Sequence, residues 1–467
     1  MVGSKVNVNL FLIMAIYKSI NPYNQELIGE FPEDSSAELE AKIATAQGLS
    51  PLEDRYSFPI RRKAVQKLAS LLRERKTELA DHICDEMGKV LKEAEAEVEK
   101  CAWLCDYYYE KSPEFLADQN LDLGDAQAIR RYEALGVILG IMPWNFPLWQ
   151  VFRFAVPAIL AGNRVLLKHA PNCNLSADDL QNLFDDAGLP AAAYSAVRLS
   201  NETVAELLKD ARIKGVSLTG SEKAGRTVAE IAGRELKPQV LELGGSNAFI
   251  LHSSAKVQAA AELASSARLL NAGQSCIAAK RFLVHESLYA GFIQALKAVF
   301  STYSIGDPKA SSTSIGPLAR PDLKANALRQ IEESLAQGAK LELGGKGEGN
   351  LLEPTILSGV NREMTVFKEE VFAPIASILS YSDFEEAIAI SNGSRYGLGL
   401  SLIGEDRDFL LSQASRFEEG AVFINDLVKS DPRLPFGGVK NSGYGRELGP
   451  EGIHSFCNLK TIYLKGD

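Results

Sequence analysis

Histidine, methionine and tryptophan are scarce in this 467-residue chain, at 5, 5 and 3 copies, and its six cysteines follow no regular spacing. Cys84, Cys101, Cys105, Cys173, Cys276 and Cys457 are too few and too scattered for a disulfide framework, so a reducing, cytoplasmic setting is expected. Cys101 and Cys105 fall on one expected helix face. No His or Cys cluster nearby in sequence completes a zinc site, so the pair reads as packing and no metal is expected. Basic charge is lacking too. Fifty Lys and Arg against sixty Asp and Glu give a net charge of −10, which argues against nucleic acid or an anionic membrane as partner. No apolar run is long enough to span a bilayer. The one candidate targeting element, residues 10–16 behind Lys5, is short and lacks a small-residue cleavage pattern. It reads as an upstream extension, with Met14 an alternative start and residues 1–13 standing apart from the domain.

What remains is a chain with 46% hydrophobic and 24% charged residues, enough for two or three domains with substantial cores. From residue 35 to about 110 the apolar spacing is helical, predicting a helical pair or triple. Residues 127–133 are strand-like with few apolar anchors, unsuited to a core strand. Buried-strand patterns follow at 135–142, 164–168 and 215–219, separated by helical patterns. This alternation predicts a parallel, doubly wound sheet with ligands at the carboxyl ends of its strands. A second α/β unit starts near Gly244, and the glycine-rich stretch 343–350 reads as a surface turn. Residues 461–464 alternate like an edge strand.

Two strand ends invite a dinucleotide. After Thr219, Gly220-Ser221-Glu222-Lys223-Ala224-Gly225 opens a helix whose free N–H groups suit a pyrophosphate, with glycines to let it approach. The spacing departs from Gly-x-Gly-x-x-Gly, and a plain strand-to-helix turn reads equally well. Lys168 ends the preceding strand, where its ammonium can reach ribose hydroxyls or simply be solvated.

Cys276 lies in Asn271-Ala272-Gly273-Gln274-Ser275-Cys276, a Glu242-Leu243-Gly244-Gly245 turn precedes it, and Trp144-Asn145-Phe146-Pro147 lies further upstream. Singly, each has a bland alternative: a buried apolar filler, a strand terminus, a turn former. Jointly they supply what covalent aldehyde oxidation needs, a thiolate, an oxyanion donor and a base that cleaves a thioester.

These segments, with Leu218-Thr219-Gly220-Ser221, Lys368-Glu369-Glu370-Val371-Phe372 and Pro435-Phe436-Gly437-Gly438, resemble the NAD(P)-dependent aldehyde dehydrogenase superfamily from about Ile20 to Leu464. The resemblance implies an α/β fold with a Rossmann-type cofactor domain (14–113 and 135–243), an α/β catalytic domain (244–440) and a β-arm for oligomerisation (114–134 and 441–467), giving a homodimer or homotetramer. It implies Cys276 as nucleophile, Asn145 as oxyanion donor and Glu242 as base, the last favouring hydrolysis to a free acid over transfer to coenzyme A. It implies a cofactor site built from Trp144, Lys168, Gly220, Ser221, Gly225, Gly244, Glu370 and Phe372. Many NAD-using relatives carry Glu three residues after the Lys at 168. Pro171 stands there instead, removing a repulsion against a 2′-phosphate without offering a donor, so NAD is favoured with NADP also used.

The substrate is expected to be a small aldehyde. Trp149 and Arg153 recur at four-residue spacing after Asn145, and Arg153 lies about 12 Å along the axis of a helix. From there its guanidinium can clamp a carboxylate a few carbons from the aldehyde, or serve as a structural cation. Residues 149–153, 168–171 and 430–435 look most like bacterial succinate-semialdehyde dehydrogenases, in which the counterparts of Arg153 and Ser430 would contact the carboxylate and Arg433 would help or brace its loop. Glutarate semialdehyde and uncharged aliphatic aldehydes are the competing substrates. A cysteine hydrolase and a non-catalytic binding protein are the competing classes.

Overall fold

The computed structural model describes residues 15–47, 57–190 and 192–466, so Met14 and most of the run 10–16 fall outside the described residues. A hairpin of β1 (Ile16–Ile20) and β2 (Leu27–Pro32) leads into α1 (Ser36–Gln47), α2 (Phe58–Glu74), α3 (Lys76–Met87) and α4 (Leu91–Phe115). Helical spacing predicted two or three helices here. The further division between α3 and α4 comes from Gly88, whose φ of 76° ends α3 in the left-handed conformation. Cys101 and Cys105 are wholly buried on α4 in a core shared with α5 (Trp149–Leu160).

Five parallel strands form the sheet that positions the site: β5 (Val137–Ile141), β6 (Arg164–Lys168), β7 (Tyr194–Val197), β8 (Ile213–Thr219) and β9 (Gln239–Glu242). Their spatial order is 9-8-5-6-7. Helices α5, α6 (Asn174–Asp186), α7 (Asn201–Leu207) and α8 (Glu222–Arg234) connect them. Strands buried on both faces need apolar residues at nearly every position, which is why β5 and β6 read as near-continuous Val, Ile and Leu runs, while β8 mixes buried Ile213, Val216 and Leu218 with small polar residues. Strand order reverses between β5 and β8, the place where doubly wound sheets open a ligand crevice.

The second sheet contains β10 (Asn247–Leu251), β11 (Ala279–His285), β12 (Lys340–Leu343), β13 (Thr355–Ser358), β14 (Ile375–Tyr381), β16 (Leu400–Ile403) and β17 (Val422–Ile424), in the order 12-13-14-11-10-16-17. Only β12 runs antiparallel to its neighbour. α9 (Val257–Leu269) leads toward Cys276, and a short antiparallel pair joins β15 (Tyr396–Gly397) to β18 (Val439–Lys440).

The C-terminal stretch divides differently from the expected arm of 441–467. β19 (Gly443–Tyr444) pairs antiparallel with β9, and the helix Gly449–His454 packs on α5. A Cβ at Gly443 would stand 1.9 Å from the Leu241 carbonyl oxygen, so glycine is what lets the chain close on β9. Only β20 (Cys457–Lys465) leaves the body. It forms a separate antiparallel sheet with β4 (Ala126–Ala134) and β3 (Gln119–Asp122), in the order 20-4-3.

Candidate active site

Most groups singled out for chemistry stand at the end of a parallel strand or just before one begins. β9 ends on Glu242, β8 runs into Gly220 and Ser221, β6 ends on Lys168, β5 leads to Trp144 and Asn145, and Cys276 precedes β11. The loop carrying Cys276 begins with three residues in the left-handed region, Asn271, Ala272 and Gly273, with φ of 55°, 52° and 73°. For Ala272 this costs about 1–2 kcal/mol. Surrounding polar groups hold the conformation. Asn271 Nδ2 donates to the Asn145 carbonyl at 2.7 Å, and its backbone N–H donates to Glu93 Oε2 at 2.8 Å. Arg268, wholly buried, donates to the carbonyls of Gly273, Ala279 and Val371 at 3.0–3.1 Å and also to that of Ala373. Lys280, equally buried, donates to the carbonyls of Gly245 at 2.6 Å and of Ser275 and Cys276 at 2.9 Å. The nucleophile loop is thus tied to the Glu-Leu-Gly-Gly turn through one ammonium.

Burial pushes the Cys276 thiol up to about 11, against the pull of Arg153 and Lys280, so the resting group is a thiol. Asn145 is buried and spends one amide hydrogen on the Gln274 carbonyl at 3.0 Å, leaving the other for a ligand. Glu242 is 1% exposed, and neither of its carboxyl oxygens has a hydrogen-bond partner among the described residues. Burial holds this carboxyl well above the usual carboxylate range. Arg153 opposes the shift and Glu447 reinforces it. Gly437 makes room for the group, because a Cβ there would lie 2.7 Å from Glu242 Oε1.

Arg153 is not the free carboxylate clamp expected from its spacing. It is buried, forms an ion pair with Glu447, donates to Thr219 Oγ1 at 3.2 Å and stacks 4.6 Å over the Phe436 ring. A guanidinium engaged on several sides already has its counter-ion, and drawing it away would strand the buried Glu447. The bracing alternative holds for Arg433, whose fork grips Asp431 at 2.9 and 2.7 Å. Trp149 and Ser430 do meet, with Trp149 Nε1 donating to Ser430 Oγ at 3.0 Å.

On the cofactor side, Glu370 accepts from the Gly245 N–H at 2.9 Å and lies 3.2 Å from Lys280. A Cβ at Gly244 would stand 2.4 Å from Glu370 Oε2, so Gly244 permits this seat. Trp144 and Phe372 pack edge to face at 5.8 Å beside it. Ser221 caps α8 by accepting the Ala224 N–H at 3.2 Å, and a Cβ at Gly220 would meet nothing closer than 3.6 Å. Gly225 departs from expectation. It is buried, and its missing Cβ is needed by Leu243, whose methyls would lie at 2.5 Å, so it brings helix and strand together instead of opening onto a phosphate. Lys168 is buried, and desolvation alone pulls its pKa down. It shares a small crevice with Tyr17, Pro171 and Arg198.

Sequence reasoning missed Lys280, Arg268, Glu97 and Glu447. Glu97 accepts the Leu148 and Trp149 N–H groups at 2.9 and 3.0 Å and pairs with the buried Lys89, fixing the start of α5 beside Asn145. Lys280 lies just after the nucleophile segment and Glu447 just after the Pro435–Gly438 segment. Their burial is the signal, and spacing does not reveal burial.

Residues 14–462 match the model of the aldehyde dehydrogenase family. The chain belongs to the aldehyde dehydrogenase family. Among its relatives in that family is a probable succinate-semialdehyde dehydrogenase [NADP(+)] of Synechocystis sp., 42% identical over 96% of this chain and 99% of the relative. A succinate semialdehyde dehydrogenase [NAD(P)+] of Escherichia coli is also 42% identical, over 95% of this chain and 97% of the relative. The aldehyde dehydrogenase architecture is shared with a crystal structure of succinic semialdehyde dehydrogenase from Streptococcus pyogenes in complex with NADP+, at TM-score 0.93 and 36% identity, covering 96% of this chain and all of that one. The resemblance expected from the motifs is therefore borne out across nearly the whole aldehyde dehydrogenase chain.

Proposed function

We propose that the protein oxidises succinate semialdehyde to succinate, using NAD or NADP, through a thioester on Cys276. The observation that carries this reading is the convergence of Asn145, Glu242 and Cys276, since Asn145 donates to the Gln274 carbonyl of the nucleophile loop and the charge of Glu242 acts on Cys276, and the substrate named for its relatives supports it. Proximity to Arg153 and Lys280 favours the thiolate form of Cys276 as it attacks the aldehyde carbon. The spare Asn145 amide hydrogen and the Cys276 backbone N–H hold the resulting oxyanion; one such donor is ordinarily worth about 10² to 10³ in rate. When bound, the nicotinamide supplies a hydride acceptor. Lys168, Ser221, Gly244 and Glu370 suit its ribose and phosphate groups, since a buried ammonium without an acidic partner matches ribose hydroxyls. Arg198, which also pairs with Asp178, lines the same crevice as Lys168 and Pro171. Glu242 then takes a proton from the water that cleaves the thioester. Its carboxyl, held high by burial, must be ionised to do so, and Arg153 helps it ionise.

The sheet of β3, β4 and β20 exposes Leu121, Leu459 and Tyr463, apolar side chains that a second copy would cover, and the active form is taken to be a homodimer or homotetramer. Among the described residues no helix is long and apolar enough to cross a membrane. A cytoplasmic setting suits the free cysteines.

Steady-state formation of reduced cofactor from NAD and from NADP, with succinate semialdehyde, glutarate semialdehyde and butanal, tests the reading. The highest kcat/KM is expected for succinate semialdehyde. A preference for butanal would overturn the substrate while leaving the chemistry standing.

A further inference from the structure

The nucleophile loop leaves its helix abruptly. Leu270, with ψ of 130°, ends α9, and Asn271 and Ala272 follow at φ of 55° and 52°. Two successive non-glycine residues stay in the left-handed region only where their surroundings over-determine the backbone. Asn271 is also buried, so an N–H taken off the helix ladder must find another acceptor. That acceptor comes from a different part of the chain. Glu93, in the first turn of α4, takes the Asn271 N–H on Oε2 at 2.8 Å.

Asn271 is the centre of the contacts that set Asn145 against Cys276. Its Nδ2 donates to the Asn145 carbonyl at 2.7 Å and to the Gln274 carbonyl at 3.2 Å. The Asn145 side chain donates to that same Gln274 carbonyl at 3.0 Å. Gln274 in turn gives its side-chain amide to the Asn271 carbonyl at 3.1 Å and accepts the Ala319 N–H at 2.9 Å. Cys276 lies two residues beyond Gln274. The oxyanion donor and the nucleophile are therefore both referred to one turn, which Glu93 grips from α4.

Among the described residues Glu93 forms no ion pair, and the Asn271 N–H is the one donor that its carboxylate receives. Lys89 and Lys92 act on it from further away. Lys89 is paired with Glu97, and Lys92 is exposed. Burial pushes the Glu93 carboxyl up to about 7, against the pull of Lys89, the Asn271 N–H and Lys92. The folded chain bears that desolvation for a single contact, the one on the nucleophile turn. Charged or neutral, the carboxyl keeps an oxygen that accepts.

We propose that Glu93 is a positioning residue, holding the Asn271 turn so that the Asn145 amide and Cys276 stand at the separation the oxyanion requires. This rests on the proposed thioester route and names a group outside the reacting set on which that route depends. The role needs an accepting oxygen at this place and does not need a charge.

The test compares wild type with Glu93→Gln, which keeps the oxygen, and Glu93→Leu, which does not. Glu93 lines a cavity of about 520 Å³, so truncation to alanine would let water take its place, whereas leucine fills the space without an acceptor. Melting curves check folding, and Glu93→Met replaces Glu93→Leu if the latter melts far below wild type. The rate of reduced-cofactor formation in the first turnover is expected to fall about 10-fold or more in Glu93→Leu, with KM for aldehyde and cofactor within about twofold, and to stay near wild type in Glu93→Gln. Beside Asn145→Ala the loss of Glu93 should cost little, because the turn then has no amide to place. A Glu93→Leu variant as fast as wild type, equal losses in both variants, a loss carried by KM, or a full loss that persists beside Asn145→Ala would each overturn the proposal. A wild type that reduces no cofactor with any aldehyde would overturn the thioester route, and this role with it.

Discussion

At the scale of residues the centre rests in a protonated state. Burial raises both Cys276 and Glu242, while the proposed mechanism uses each in its deprotonated form. Below the thiol pKa the thiolate fraction grows about tenfold per pH unit. The rate of the first turnover should therefore climb from about pH 6 to about pH 9, followed by rapid-mixing absorbance of the reduced cofactor. A flat profile across that range would mean that Cys276 is already a thiolate at rest. Motif reading singled out Cys276, Asn145 and Glu242 because their immediate neighbours are distinctive. It left Arg153 open between a carboxylate clamp and a structural cation, because helical spacing tells which face a guanidinium occupies and says nothing of Glu447, which reaches that face from the far end of the chain. Gly225 was assigned to phosphate approach for a similar reason, since the side chain that needs its missing Cβ, Leu243, lies one strand away.

At the scale of elements, the strands buried on both faces were legible. The expected strand 164–168 is β6 (Arg164–Lys168), and 135–142 and 215–219 hold β5 and most of β8. The two-residue β19 was not, because its pairing depends on a close approach at Gly443 and carries no apolar pattern. The edge character of residues 461–464 belongs to β20. In its pairing with β4 and β3, Leu121 and Tyr463 both stand opposite Ala128, so the two exposed side chains share a face. Alternation along β20 adds Leu459 to that face. Leu459→Lys combined with Tyr463→Lys should therefore lower the mass measured by light scattering from a multiple of the chain mass toward a single chain, because each buried lysine would be desolvated without a partner. An unchanged multiple in the variant, or a single chain in the wild type, would contradict oligomerisation through this sheet.

At the scale of the whole molecule, two parallel sheets bring their strand ends to one place. The first delivers Asn145, Lys168, Ser221 and Glu242 from the ends of β5, β6, β8 and β9, and the second delivers Cys276 and Glu370 from the approaches to β11 and β14. Lys280 bridges them, touching the carbonyls of Gly245 and Cys276 and the carboxylate of Glu370 at once. In the proposed reaction, hydride loss and thioester cleavage share the Cys276 sulfur, which the second sheet presents to groups of the first. The direct test is to stop the reaction between the two. Glu242→Gln chain mixed with succinate semialdehyde and NADP, then analysed by mass spectrometry of the intact protein and its peptides, should carry one succinyl group on Cys276 and release one reduced cofactor per active site. No adduct, an adduct on another residue, or continued turnover at the wild-type rate would contradict the thioester route and the role of Glu242 in it.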